Sequence, residues 1–253
     1  MRQAEISKKI LRLAGRTNGQ YELIGEGDRV LVGLSGGKDS LTLVHLLKHM
    51  QRHAPFDFTF EAVTVSYGMG EDYGHLAKHC EAYDIPHSVY ETKIMEIAQE
   101  KIRENSSFCS FFSRMRRGSL YTAALERGCN KLALGHHLDD AAESFFMNLF
   151  YNGTLRSMPP KYRAYNNLVV VRPLIMARER QLAAFAESNG FATVGDEMCP
   201  SLQFDVKMPY VREEMKGFMH ELEERYPKLF DSLGAAFRHI HESSFFDQEK
   251  LRV

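Results

Sequence analysis

Residues 30–40 read VLVGLSGGKDS, and the apolar run LTLVHLLKHM follows them. The first half is short, continuous and rich in β-branched residues, which suits a strand buried on both faces of a parallel sheet. From Leu41 the period changes, because Leu43, Leu46, Leu47 and Met50 recur at helical spacing. Between strand and helix lies a turn of small residues, Ser35-Gly36-Gly37-Lys38-Asp39-Ser40. Glycines let backbone N–H groups converge on a ligand, and a helix start adds partial positive charge. Lys38 contributes a full charge, and Ser35 and Ser40 contribute hydroxyls, so the segment has the makings of a phosphate cradle. It is not a Walker loop: Val32 stands where the first glycine is required, and Asp39 where Ser or Thr must follow the lysine. Nor does a third glycine follow at dinucleotide-binding spacing. An aspartate beside a polyphosphate is repelled unless a cation lies between them, so Asp39 points to bound Mg²⁺.

The rest of the chain supplies the frame for such a turn. Phe56, Phe58 and Phe60 alternate with polar residues and lead into AVTV, a strand ending near Ser66. His75–Tyr83 reads as a helix, His87–Tyr90 as a strand, Lys93–Arg103 and Ser113–Glu126 as helices. Then KLALGHHLDDAAESFFMNLF repeats the opening plan of apolar strand, glycine turn and helix from about Asp139. A polar, Pro-containing loop over 153–167 precedes a strand at Leu168–Val171, a helix at Ala177–Ser188, and amphipathic stretches at Pro209–Glu224 and Pro227–Glu242. Alternating strands and helices imply an α/β fold, a doubly wound parallel sheet of about five strands. Ahead of it, apolar residues between 4 and 24 predict a helix that breaks near Thr17–Gly19. The expected organisation is an N-terminal helical segment (1–28), a nucleotide-binding domain (29–190) and a helical C-terminal region (191–253). Ligands of such sheets sit off the carboxyl ends of the strands, where Ser35–Ser40 and Gly135–Asp140 would face one nucleotide from two sides.

Composition narrows the setting. A hydrophobic content of 44% and a charged content of 26% over 253 residues are those of a soluble globular chain with one large core. No apolar run is long enough to span a bilayer, and MRQAEISKKILRLAG lacks a signal peptide's apolar core, so no membrane partner and a cytoplasmic location are expected. Four cysteines in so long a chain are not a disulfide scaffold. A net charge of −1 gives no overall attraction to nucleic acid, so any RNA contact must come from a local patch.

SGGKDS resembles the PP-loop of the ATP pyrophosphatase superfamily. The further series CSFFSRMRRG, LALGHHLDD, MPPK and VRPL, in this order, resembles the tRNA 2-thiocytidine synthase family. The resemblance implies a PP-loop, HUP-like fold and a two-stage reaction on a tRNA cytidine. ATP adenylates the carbonyl oxygen at C2, and sulfur from an unspecified donor then displaces AMP. It implies ATP contacts at Ser35, Gly36, Gly37, Lys38, Asp39, Ser40, Gly135 and His136. Asp39 and Asp139 become candidate Mg²⁺ ligands, and Asp140 with Asp39 candidates for the chemistry; Asp139 reads equally well as a helix N-cap. Arg114, Arg116, Arg117 and Lys161 are candidate tRNA contacts, and the resemblance points to a homodimer.

The chain departs from the family at its cysteines. Family members carry Cys-x-x-Cys before the arginine run and a later cysteine, which together bind a [4Fe-4S] cluster. Here Cys109 fills the first place and Cys199 the last, but Phe112 stands in the second. Three outcomes stay open: a cluster completed by another ligand such as Asp196 or Glu197, a cluster-free Cys109–Cys199 pair passing a persulfide, or adenylation alone. Functional rivals are a PP-loop ligase that admits an amine after adenylation, and a non-catalytic nucleotide-binding protein.

Overall fold

A computed structural model of the chain describes residues 2–101, 108–164, 166–194 and 211–245; of residues 101, 108–110 and 243 it describes the backbone alone. The chain divides into two compact units, Met1–His137 with Pro159–Pro209, and Leu138–Met158 with Tyr210–Val253.

In the first unit, β1 (Arg29–Gly33), β2 (Thr59–Val65), β3 (His87–Tyr90), β4 (Lys131–Ala133), β5 (Lys161–Arg163) and β6 (Val169–Val171) form one sheet in the order β3-β2-β1-β4-β6-β5. All neighbours run parallel except β5, which pairs antiparallel with β6 through Lys161↔Val171 and Arg163↔Val169. The doubly wound α/β sheet expected from sequence is therefore present, with β5 added at one edge from within the loop read as polar and irregular.

Alternation along the strands feeds two cores. Val30, Val32, Phe60, Ala62, Ala133 and Val171 point to one face, where they meet α1 (Lys8–Tyr21), α2 (Lys38–His53), α3 (Gly74–Ala82) and α7 (Glu179–Ser188). Leu31, Val63, Val65, Leu132 and Val170 point to the other, against α4 (Ile94–Lys101) and α5 (Phe108–Glu126). Strands buried on both faces read as continuous apolar runs, which is why VLVGL was legible. Helix α1 does not break at Thr17–Gly19: Ser7 caps its start by accepting from the Ile10 N–H at 3.3 Å, and the helix runs through both glycines to Tyr21.

One buried ion pair ties the sheet's lower edge together. Asp28, just before β1, accepts from Lys131 Nζ at 2.6 Å, from Asn130 Nδ2 at 2.8 Å and from the Gly25 N–H at 2.7 Å. Burial alone would raise the Asp28 pKa, but Lys131, Gly25 and Asn130 outweigh it and hold the carboxyl below its ordinary range. A folded-state pKa below the unfolded one gives stabilisation that is complete above the unfolded value and lost as the pH falls through the folded value. Urea midpoints are expected to be flat from neutrality to about pH 5 and to fall below about pH 4. Asp28→Asn should lower the midpoint at pH 7 and flatten that acid limb.

The second unit is helical. Its α6 (Leu138–Asn152), α8 (Val211–Arg225) and α9 (Leu229–Ala236) pack around Leu138, Ala142, Met219 and Phe230, with Phe146, Leu233 and Phe237 at the margin.

Candidate active site

Strand order places the site. From β1 the chain winds outward to β2 and β3, whereas β4 lies on the other side of β1 and leads to β6. The loops leaving β1 and β4 therefore diverge at a topological switch point, where doubly wound sheets leave a crevice for ligands. Ser35–Ser40 leave β1 there, and Leu134–His137 leave β4 beside them.

Backbone contacts shape the first loop. Gly36 has φ +85°, a left-handed conformation favouring glycine, and a Cβ there would lie 2.7 Å from Val194 Cγ2. Its carbonyl accepts from the Val194 N–H at 2.9 Å, so residues following α7 brace the loop. Gly37 is the N-cap of α2 and makes no side-chain cap, so no capping side chain occupies the first-turn N–H groups. Buried Ser40 tightens the turn: its Oγ donates to the Gly37 carbonyl at 3.0 Å and accepts from the Ser35 N–H at 3.2 Å. Across the switch point, a Cβ on Gly135 would lie 3.0 Å from the backbone carbon and oxygen of Asp39. Glycine is required because two backbones meet.

The charged groups are set out around that turn. Lys38 Nζ lies 3.4 Å from Asp39 Oδ2 and 3.0 Å from Glu179 Oε1. Burial opposes the ammonium charge, but Asp39 and Glu179 outweigh it and raise the Lys38 pKa, keeping the group cationic. Asp39 Oδ1 is closed off from solvent, and Nε2 of buried His137 lies 3.8 Å from it. Glu179 belongs to none of the motifs legible in the sequence; the packing of α7 on α2 brings it to the loop.

His136 is oriented from behind. Arg172, 4% exposed, donates from Nε to His136 Nδ1 at 3.2 Å and from Nη1 to the Pro159 carbonyl at 2.6 Å. A donated hydrogen bond at Nδ1 makes it the acceptor, so the imidazole is neutral and carries its proton on Nε2. The guanidinium also lies over the Tyr162 ring at 5.1 Å, and Tyr162 and Tyr121 share a hydrogen bond of 2.8 Å. Arg172 is thus a buried support, not part of a solvent-facing basic surface. Arg172→Met should cost about 2 kcal/mol in urea denaturation, because it removes the charged donor that satisfies both the Pro159 carbonyl and His136 Nδ1.

The remaining predicted residues belong to other elements. Arg114, Arg116 and Arg117 are exposed on one stretch of α5, with Arg116 Nη1 donating to Tyr67 OH at 3.4 Å. Lys161 is exposed on β5, and its Nζ donates to the Glu22 carbonyl at 3.1 Å. Asp139 and Asp140 form the first turn of α6 in the helical unit, where Arg212 of α8 bridges Asp140 and buried Glu143. Cys109 occupies the first turn of α5, but its side chain, like all of Cys199, lies outside the described residues. Phe112 is 3% exposed, with edge-to-face contacts to Tyr67 and Phe111 at 6.0 and 5.7 Å, so the family's second cysteine is replaced by a core side chain. Cys80 and Cys129 are buried and reduced; burial pushes the Cys80 thiol up to about 12 and raises that of Cys129.

Comparison with known proteins agrees with this geometry. The PP-loop domain family matches residues 4–216. The tRNA-cytidine(32) 2-sulfurtransferase of Syntrophotalea carbinolica is 41% identical over 247 residues, covering 95% of this chain and 94% of the relative. That of Geobacter metallireducens is 40% identical over 248 residues, covering 97% and 95%. Among solved structures, the U34-tRNA thiolase NcsA from Methanococcus maripaludis, with its [4Fe-4S] cluster, superposes with a TM-score of 0.73 at 25% identity, over 97% of this chain and 84% of that one. The chain belongs to the PP-loop domain family and, within it, to the tRNA-cytidine(32) 2-sulfurtransferases.

Proposed function

We propose that this protein is an ATP-dependent tRNA thiolase that converts cytidine 32 of tRNA to 2-thiocytidine. The observation that carries the reading is the crevice between β1 and β4, where α2's uncapped N-terminus, Lys38 and Asp39 surround a glycine-lined turn. The α-phosphate of ATP is attacked by the cytidine C2 oxygen, its bond to the β-phosphate breaks, and pyrophosphate leaves. Backbone N–H groups at the start of α2 and the Lys38 ammonium hold the phosphates, while Gly135 and His136 border the adenosine. Asp39 suits Mg²⁺, since its carboxylate sits at the mouth of an anion site; Asp139 is a second candidate ligand. A bound Mg²⁺ would screen charge on the departing pyrophosphate.

The donor set fits a [4Fe-4S] cluster poorly, because Phe112 is a packed core residue and two thiolates leave the metal weakly ligated. The sulfur step is therefore assigned to Cys109 and Cys199. One carries a persulfide whose outer sulfur attacks C2; the C2–O bond breaks and AMP leaves. The other thiolate attacks the inner sulfur, which frees the thiocarbonyl and closes a Cys109–Cys199 disulfide for a dithiol to reduce. Arg114, Arg116, Arg117 and Lys161 would contact tRNA phosphates. The enzyme acts in the cytoplasm as a homodimer; separately, no helix among the described residues is long and apolar enough to cross a membrane.

Incubation with ATP, tRNA and a sulfur donor should release AMP and pyrophosphate, and nucleoside mass spectrometry should show 2-thiocytidine. Release of ADP and orthophosphate would refute the assignment. Glu179→Gln removes the carboxylate that competes with phosphate for Lys38, so a severalfold lower Kd for ATP is expected by calorimetry.

A further inference from the structure

Helix α1 breaks three local rules of helix design on one face. Its apolar side is docked, with Ile10, Ala14 and Thr17 buried and Leu11, Leu13 and Tyr21 packed at the margin. Opposite them, Lys8, Arg12 and Arg16 recur at intervals of one helical turn, with Lys9 beside them, and all are exposed. Like charges at that interval repel one another. The first turn holds two lysines and no acid, against the helix dipole, and the whole of α1 contains no Asp or Glu. Among the described residues none of these four cations has an ion-pair or side-chain hydrogen-bond partner.

Gly15 and Gly19 lie in the same stripe, within an arc of roughly 120° that also holds the cations. Both are solvent-exposed in a helix interior, where glycine weakens the helix relative to alanine. A Cβ at either would meet nothing within 4 Å, and neither has a positive φ, so no internal contact calls for glycine. Violations that coincide on one surface without internal compensation mark a functional surface. Here the cations suit a polyanion, and the bare helix backbone between them suits close approach of a bulky one.

We propose that the exposed face of α1 is a docking surface for the phosphate backbone of tRNA, a contact additional to those around the crevice. The proposal rests on tRNA being the substrate. RNA is favoured over an anionic lipid surface because α1's apolar side is already packed into the core, leaving no apolar stripe to enter a bilayer. The local patch also supplies the attraction that a net charge of −1 does not.

The test is equilibrium binding of unmodified tRNA to the full-length protein across a potassium chloride series. Lys8→Gln/Arg12→Gln/Arg16→Gln should weaken binding at least tenfold at low salt. The slope of log K against log [salt] should become shallower by about 2 to 3, as expected for three lost phosphate contacts. The Kd for ATP should be unchanged. Gly15→Leu/Gly19→Leu should raise Tm yet weaken tRNA binding, a divergence that mere helix destabilisation cannot produce. Wild-type affinity and slope in the triple-Gln variant, with 2-thiocytidine still formed by the parent, would overturn the α1 surface and leave the thiolase assignment standing. A parent that binds no tRNA would overturn both. Charge-dependent binding to phosphatidylserine vesicles, with tRNA binding unaltered, would overturn the RNA assignment in favour of a lipid partner.

Discussion

Asp39→Ala is expected to abolish release of AMP and pyrophosphate from ATP and tRNA, by at least ~10²–10³-fold, the range seen when one charge-stabilising group is removed from an active site. The side chain lies in the first turn of α2, beside Lys38 and across the switch point from Gly135 and His137. Its structural contribution there is a favourable interaction with the helix dipole, worth about 0.3–1 kcal/mol, so the fold should survive. Asp39→Asn keeps the shape and loses the charge; it should be as inactive as alanine, with a Tm close to that of the parent. Turnover that persists in either variant would sink the assignment of Asp39 to the phosphate and metal side of the reaction.

The second large effect separates the two halves of the chemistry. Cys109→Ser and Cys199→Ser should each stop formation of 2-thiocytidine completely, while adenylation continues and AMP remains measurable. Cys80→Ala and Cys129→Ala should leave sulfur transfer intact, since both thiols are buried within the cores and their raised pKa values keep them protonated. Iron and sulfide analysis of anaerobically purified protein decides between the two routes: a colourless, active preparation supports the persulfide pair. Stoichiometric iron and sulfide, lost in either cysteine variant, would replace it with a cluster.

The sequence by itself determined the elements whose reasons are local. The SGGKDS turn, the strands Val30–Leu34 and His87–Tyr90, and the helix following Gly135 were legible because apolar period, glycines and turn residues lie within a few positions of one another. Where the reason is not local, the sequence was silent or misleading. Residues 161–163 are polar and few, and become β5 only because β6 offers an open edge. Thr17–Gly19 reads as a helix break, yet α1 stays helical because its buried face is held by the core. Only the tertiary structure placed Glu179 on Lys38, Arg172 behind His136 and Phe112 in the core. Each of those outcomes depends on which surfaces strand order and helix packing bring together, and no spacing along the chain encodes that.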